Sequence, residues 1–169
     1  AESLFNELEH TTYAQQSLEF LLELFQKEHD WLKAIEVSQR LAKLSGHPHN
    51  TEAAFFYCEL ASEEAAGNNL VAARQHLQQA LQIDPNAVRA TMMLGDFLLN
   101  EGQHQQAIDI WKTIEAQDAL YLPLVAERLL NCYRSLDREL DGIVLLREYL
   151  NKYHSLDLMN VVFTGVLKN

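Results

Sequence analysis

Apolar residues recur along the chain at helical spacing, in short runs separated by two to four polar or turn-forming residues. In the first run, Leu18, Leu21, Leu22 and Phe25 stand at i, i+3, i+4 and i+7, the pattern of one buried helix face. The next run supplies a facing stripe of Ala34, Ile35, Leu41 and Leu44. The pattern predicts eight helices in four antiparallel pairs, over residues 12–28 and 31–45, 51–66 and 70–83, 86–100 and 104–117, and 122–136 and 139–153.

A pattern of small and large residues recurs among these helices with a period of 34 residues. Ala73 and Leu77 of one copy correspond to Ala107 and Trp111 of the next. A period of this length is typical of helix-turn-helix repeat arrays, in which each unit buries its apolar faces against its neighbours. Such a chain presents an extended surface to which other molecules can bind.

The register of the copies is that of the tetratricopeptide repeat, which has small residues at its eighth and twentieth positions. Those positions hold Ala61 and Ala73, and then Gly95 and Ala107. Glycine inside a helix costs about 1 kcal/mol relative to alanine, so we expect close helix contact at Gly95 and again at Gly142. The predicted fold is all-α, a right-handed tetratricopeptide-repeat superhelix of about four helical hairpins with partial units at both ends.

The register divides the chain into six segments. Residues 1–11 fit the second helix of a preceding repeat, and residues 156–169 fit the first helix of a truncated one. We expect the chain to be a piece of a longer array. Asp84 and Pro85 are expected to cap and open the helix at residue 86. The four repeats in between are predicted at 12–50, 51–85, 86–119 and 120–155.

Composition and charge exclude several functions. An apolar fraction of 48% supports a continuous core, and no run of about 18 apolar residues predicts a membrane span. The formal net charge of −11 disfavours nucleic acid and anionic lipid as partners. Seven carboxylates against one lysine lie in residues 1–30, which indicates either a solvated acidic face or a docking patch.

Residues that could support chemistry are scattered. Cys58 and Cys132 fall two repeats apart, too far for a disulfide, so we expect reduced thiols with a structural role. His47 and His49 flank a proline, but no third metal ligand stands near them. No nucleophile elbow, phosphate loop or zinc-protease motif appears. The sequence therefore predicts neither an enzyme nor a metal or cofactor site.

The remaining candidate function is protein binding. In this repeat, positions 2, 5, 9 and 12 of each first helix line a concave groove. Phe55, Met92 and Leu99 are candidates to anchor a partner segment there, although the same residues would pack under an adjoining repeat if the register slipped by one. The candidate partner-binding residues are Glu19, Glu23, Phe55, Cys58, Ser62, Arg89, Met92, Asp96, Leu99, Glu127, Asn131 and Arg134.

Two stretches carry a more specific resemblance. The run Trp-Leu-Lys-Ala-Ile-Glu-Val-Ser-Gln-Arg-Leu-Ala-Lys-Leu at residues 31–44 and the run Phe-Tyr-Cys-Glu-Leu-Ala at residues 56–61 resemble the bacterial lipopolysaccharide assembly protein B family. The resemblance implies an adaptor tethered to the inner membrane, with repeats on the cytoplasmic side and a rubredoxin-like metal domain. It implies that the adaptor promotes degradation of UDP-acyl-N-acetylglucosamine deacetylase of the lipid A pathway by the membrane-bound ATP-dependent protease.

This chain contains neither the membrane anchor nor the paired Cys-x-x-Cys motifs of that family. The resemblance therefore implies a repeat-only segment, from which neither membrane insertion nor metal binding is expected. Two alternatives stay open: an unrelated tetratricopeptide scaffold for assembly of the cell envelope, and a self-association module that forms homodimers.

Overall fold

The computed structural model describes residues 13–167, and every regular element in that range is helical. The chain divides into two compact units, residues 1–87 and residues 88–169. The helix predicted within residues 1–11 lies outside the described residues. The boundary between the two units, at residue 87, falls close to the repeat boundary predicted at residue 85. Each unit therefore holds two of the predicted hairpins.

The first unit contains two helical hairpins among its described residues. Their bounds agree with the predicted ones to within two residues. The helices are α1 (Ala14–Glu28), α2 (Trp31–Ser45), α3 (Asn50–Ala66) and α4 (Leu70–Ile83).

The second unit contains two hairpins and a further helix. Its elements are α5 (Val88–Asn100), α6 (His104–Lys112), α7 (Ile114–Gln117), a 3₁₀ helix (Ala119–Tyr121), α8 (Leu122–Ser135), α9 (Glu139–Tyr153) and α10 (Leu156–Leu167). The single helix predicted over residues 104–117 is interrupted at Thr113. At the interruption the backbone tightens, since the amide of Thr113 donates to the carbonyl of Ile110 at 3.0 Å, and the Thr113 hydroxyl donates to the same carbonyl at 2.7 Å.

Helices in both units end at residues that tolerate a left-handed backbone. Gly46 closes α2 with a φ of 69°, and Gly102 follows α5 with a φ of 73°, a conformation that suits glycine because it lacks a Cβ. Two helices of the first unit, α2 and α4, begin with a side-chain cap. The Asp30 carboxylate accepts from the amide of Lys33 at 3.2 Å, and the Asn69 side chain accepts from the amide of Ala72 at 3.4 Å.

The junction at Asp84 and Pro85 differs from its prediction. The amide of Ala87 donates to the carbonyl of Asp84 at 3.0 Å, which makes a turn with Pro85 at its second position. The Asp84 carboxylate accepts from the amide of Asn86 at 3.0 Å and from the hydroxyl of Thr51 at 3.2 Å. The prediction that these residues cap and open the next helix was wrong, because Asp84 closes α4 and stabilises the turn.

The core of the first unit is built around Trp31. Its indole nitrogen donates to the Glu63 carboxylate at 2.7 Å, and its ring stacks on the fully buried Phe56 with centroids 6.1 Å apart. The expected stripe residue Leu44 is 48% exposed near the end of α2, so its assignment to the core was wrong. The other members of this core are Leu18, Leu21, Leu22, Phe25, Ala34, Ile35, Val37, Leu41 and Leu60.

In the second unit a glycine faces a tryptophan across the first hairpin. Trp111 on α6 is fully buried, and a Cβ added at Gly95 on α5 would overlap its indole ring. The Trp111 indole nitrogen also donates to the carbonyl of Met92 at 3.3 Å. This contact, with the full burial of Ala107, confirms the repeat register in this hairpin.

The second hairpin of this unit repeats the arrangement with different residues. A Cβ added at Gly142 on α9 would lie 3.0 Å from the Cβ of Tyr133 on α8. Close helix contact was predicted at both Gly95 and Gly142, and the structure confirms it at both.

Both cysteines are buried, and neither forms a disulfide. Burial raises the pKa of the Cys132 thiol, which keeps it protonated and unreactive. This agrees with the structural role predicted from sequence.

A polar cluster joins α7 to α9 in the second unit. The Glu115 carboxylate accepts from the Lys152 ammonium at 2.9 Å and from the Tyr153 hydroxyl at 3.0 Å. The hydrogen bond from Lys152 is the largest cause of a lowered pKa at Glu115, and Tyr153 adds to it. Beside the cluster, burial raises the pKa of Tyr149 to about 12.

We expect Gly95→Ala to destabilise the chain. Alanine favours a helix by about 1 kcal/mol over glycine, but forcing a methyl group into the Trp111 ring should outweigh that gain and lower the free energy of unfolding by about 1–2 kcal/mol. Gly67→Ala is the matched control, since Gly67 has a φ of −77° and an added Cβ would lie 3.5 Å from its nearest neighbour. Urea unfolding of both variants checks this, and equal stability would contradict the packing argument.

We expect Glu115→Gln to change the acid dependence of stability. Because the folded-state pKa of Glu115 is lowered from 4.5, its stabilisation is present above pH 4.5 and disappears as the pH falls through the lowered value. The variant should lose about 0.5–1 kcal/mol at pH 7, as for partly exposed ion pairs, and should match the wild type in strong acid. Thermal unfolding across pH measures this, with Glu148→Gln on α9, the helix that carries Lys152, as control. A pH-independent difference would argue against the ion pair.

Candidate protein-binding surface

The candidate binding residues lie on the first helix of each hairpin, namely α1, α3, α5 and α8. We call the exposed positions of these helices the first-helix face and describe it separately for each unit. Glu19 and Glu23 lie one turn apart on α1 and are exposed. Gln15 donates to the Glu19 carboxylate at 2.8 Å, so Glu19 is held by a neighbour on its own helix, and both carboxylates are open to solvent.

Phe55 is an exposed aromatic residue on α3. Its side chain is 46% exposed, and its ring packs edge to face on Phe56 with centroids 5.8 Å apart. Phe56 is fully buried. One side of the Phe55 ring thus contacts the core, while a large part of the ring is accessible to solvent.

Cys58 was predicted to be a binding residue, and this prediction was wrong. Its side chain is 1% exposed, because α3 packs against α2 on one side and α4 on the other. Ser62, one turn later, is half-buried, and its hydroxyl donates to the Cys58 carbonyl at 3.0 Å. Of the three candidates on α3, Phe55 therefore presents the most side chain.

In the second unit, α5 supplies four candidates. Arg89 is exposed, and Met92, Asp96 and Leu99 are half-buried. The carbonyl of Met92 accepts from Trp111, so this residue is fixed to the core through its backbone while part of its side chain reaches the surface.

An ion pair connects α5 to α8. The Asp96 carboxylate lies 3.4 Å from the Arg128 guanidinium, and both side chains are about two-fifths exposed, at 43% and 40%. Burial raises the pKa of Asp96, and the positive charge of Arg128 offsets part of that rise. Arg128 was not among the predicted residues because its position in the repeat is not one that lines the groove.

The candidates on α8 differ in how far they are engaged within the unit. Glu127 and Asn131 are exposed. Arg134 donates to the Glu139 carboxylate at 2.7 Å, to the Asn131 side chain at 3.5 Å and to the carbonyl of Gly165 on α10 at 2.9 Å. Arg134 therefore joins α8, α9 and α10, and the structure brings Asn131 and Arg134 into direct contact.

The segment between α6 and α8 adds surface that the repeat pattern did not predict. Asp118 accepts from the amide of Leu120 at 3.0 Å, which holds the 3₁₀ helix in place. Leu120 is 85% exposed and Tyr121 is 43% exposed. The proline at this junction is Pro123, which follows Pro85 by 38 residues rather than by the repeat period of 34, and this longer spacing was the available signal.

The part of the chain that the structure describes holds neither a metal-binding cluster nor a membrane-spanning helix. Within residues 13–167, no three His, Cys, Asp or Glu side chains gather in a way that would hold a metal ion. His49 instead contacts the Glu52 carboxylate at 2.6 Å. None of the helices in that range combines the length and apolar character needed to cross a membrane.

Comparison with known proteins identifies the repeat. Residues 64–127 match the tetratricopeptide repeat family. The solved structure of the MamA protein superposes with a TM-score of 0.54 at 18% sequence identity, covering 87% of this chain and 77% of that one. At this identity the likeness concerns the fold alone.

Curated relatives carry a more specific similarity. The chain is 32% identical over 139 residues to lipopolysaccharide assembly protein B of Escherichia coli K12, and 34% identical over 146 residues to the protein of that name in Haemophilus influenzae. The aligned regions cover 82% and 86% of this chain but 36% of each relative. The chain thus spans about a third of the length of these relatives. It is a tetratricopeptide-repeat protein related to lipopolysaccharide assembly protein B.

Proposed function

We propose that the chain is the repeat region of an adaptor that regulates lipopolysaccharide synthesis. The observation that carries the proposal is its similarity, over 82–86% of its length, to proteins named lipopolysaccharide assembly protein B. The adaptor would bind the deacetylase of the lipid A pathway and bring it to the membrane-bound ATP-dependent protease, on the cytoplasmic side of the inner membrane.

The described residues support a mechanism that relies on binding alone. An adaptor that holds a substrate near a protease raises the effective concentration of one for the other and needs no reactive group. The first-helix face has the parts required for such binding. The first unit offers a supported aromatic ring at Phe55 and the acidic pair Glu19 and Glu23, and the second offers Met92 beside the Asp96–Arg128 ion pair.

Two features of the face indicate how it would contribute affinity. Phe55 would lose solvent-exposed apolar surface on binding, and such anchors dominate the energy of protein interfaces. The carboxylates of Glu19 and Glu23 would instead speed association with a basic surface and make it sensitive to salt. The roles of the individual candidate residues, and self-association of the chain, stay predictions.

We expect Phe55→Ala to weaken binding of the purified deacetylase by about fivefold or more, because truncating a central apolar anchor typically costs over 1 kcal/mol. Met92→Ala tests the second unit separately. Biolayer interferometry with the immobilised 169-residue chain measures both affinities, and thermal unfolding verifies that each variant remains folded.

Matched controls are available on the second helices. Val71 on α4 is 71% exposed and Leu140 on α9 is 77% exposed, so Val71→Ala and Leu140→Ala remove similar apolar surface outside the first-helix face. These variants should bind like the wild type. If the wild-type chain binds neither deacetylase nor protease, the adaptor assignment fails for this segment. If the controls weaken binding as much as Phe55→Ala does, the first-helix face is not the site.

A further inference from the structure

A groove in the second unit lies where the 3₁₀ helix and the start of α8 meet α10. Its volume is about 520 Å³, within the range of about 300–1,000 Å³ usual for ligand pockets. We call it the Leu124 groove, and the lining residues that matter are Asp118, Leu120, Tyr121, Leu124, Asp157 and Val161.

The groove results from a departure from the regular repeat. The turns within the first unit are short, such as residues 67–69 between α3 and α4. Between α6 and α8, in contrast, the chain inserts α7 and a 3₁₀ helix. The 3₁₀ helix is fixed by Asp118, whose carboxylate accepts from the amide of Leu120 at 3.0 Å and whose carbonyl accepts from the amide of Tyr121 at 3.1 Å. The apolar side chains of this segment are therefore presented on a held backbone.

Apolar side chains line the groove without being covered. Leu120 is 85% exposed, Leu124 is 56% exposed and Tyr121 is 43% exposed. Adjacent exposed apolar residues of this kind mark interaction sites on soluble proteins. Tyrosine in particular is enriched at the centres of protein interfaces.

The charge of the groove defines its occupant further. Asp118 and Asp157 both line it, and no lysine or arginine does. Three arginines on α8 or just after it contact carboxylates that do not line the groove. These pairs are Arg128 with Asp96, Arg134 with Glu139 and Arg138 with Asp141. A ligand that pairs apolar groups with positive charge fits this arrangement, and an acidic ligand is repelled.

We propose that the Leu124 groove docks a segment of a partner protein in which lysine or arginine residues are interspersed among large apolar side chains. The apolar side chains contact Leu120, Tyr121 and Leu124, while the basic ones lie next to Asp118 and Asp157. This proposal rests on the proposed scaffold function and names the class of segment that the scaffold binds.

The test uses two fluorescein-labelled peptides and the whole 169-residue chain. One peptide is Gly-Lys-Leu-Leu-Lys-Phe-Leu-Lys-Gly, and the other carries glutamate in place of each lysine. Fluorescence anisotropy at about 0.15 M salt, where surface charges at long range are screened, measures both affinities. The lysine peptide should bind saturably, and the glutamate peptide at least about tenfold more weakly.

Two matched variants separate the groove from general attraction to an acidic protein. Leu124→Ser should weaken binding of the lysine peptide by about tenfold. Val144→Ser should leave it unchanged, since Val144 is 55% exposed on α9, close to the 56% of Leu124, but does not line the groove. Asp157→Asn should weaken binding by about threefold, as for a charge at the rim of an interface. Circular dichroism verifies folding of all three.

The proposal is overturned if the lysine peptide does not bind, if both peptides bind equally, or if Val144→Ser weakens binding as much as Leu124→Ser. It is also overturned if light scattering shows a dimer that Leu124→Ser dissociates, because a second copy would then occupy the groove. Failure of the adaptor function has a different signature, in which the deacetylase does not bind while the lysine peptide still does. If the deacetylase binds the Leu124→Ser variant as well as the wild type, and the lysine peptide does not bind, then the groove proposal alone fails.

Discussion

The close contact between the two helices of a hairpin, made possible by a small residue, is the constraint on which the rest of this structure depends. At Gly95 the backbone of α5 lies directly against the indole ring of Trp111, and at Gly142 the backbone of α9 lies against Tyr133. Ala61 and Ala73 are fully buried at the equivalent positions of the first unit. Once the helices approach this closely, the large side chains must fill the flanking space, and this determines which helix face remains exposed.

The exposed face follows from this packing in the first unit. Burial of Phe56 under Trp31 directs the adjacent Phe55 outward, since neighbouring residues on a helix point to different sides. The buried Phe56 ring also contacts the Phe55 ring edge to face. A surface residue held by the core loses little side-chain entropy when a partner binds, so the packing that builds the repeat also preorganises its candidate anchor.

Much of the fold could be predicted from the sequence because a helix with one buried face has a periodic pattern. The helix bounds and the close contacts at Gly95 and Gly142 follow from that periodicity. The predictions that were wrong share a physical cause. Contacts of local polar groups and tertiary packing do not follow the repeat period. The backbone bonds of Thr113 break a predicted helix, Asp84 makes a turn with Pro85, and Cys58 is buried because α3 packs against helices on both sides. Arg128 joins the candidate site through a contact between two hairpins, which the position of a residue within one repeat cannot show.

The distribution of charge in the second unit restricts what its surface can bind. Arg128, Arg134 and Arg138 each contact a carboxylate of their own unit, so much of the positive charge is already neutralised where it stands. Glu127 is exposed on the first-helix face. With a net charge of −11 over the chain, the surface as a whole attracts basic partners and repels acidic ones. Affinity in such a scaffold then depends on the few exposed apolar residues, while charge selects which partners approach them.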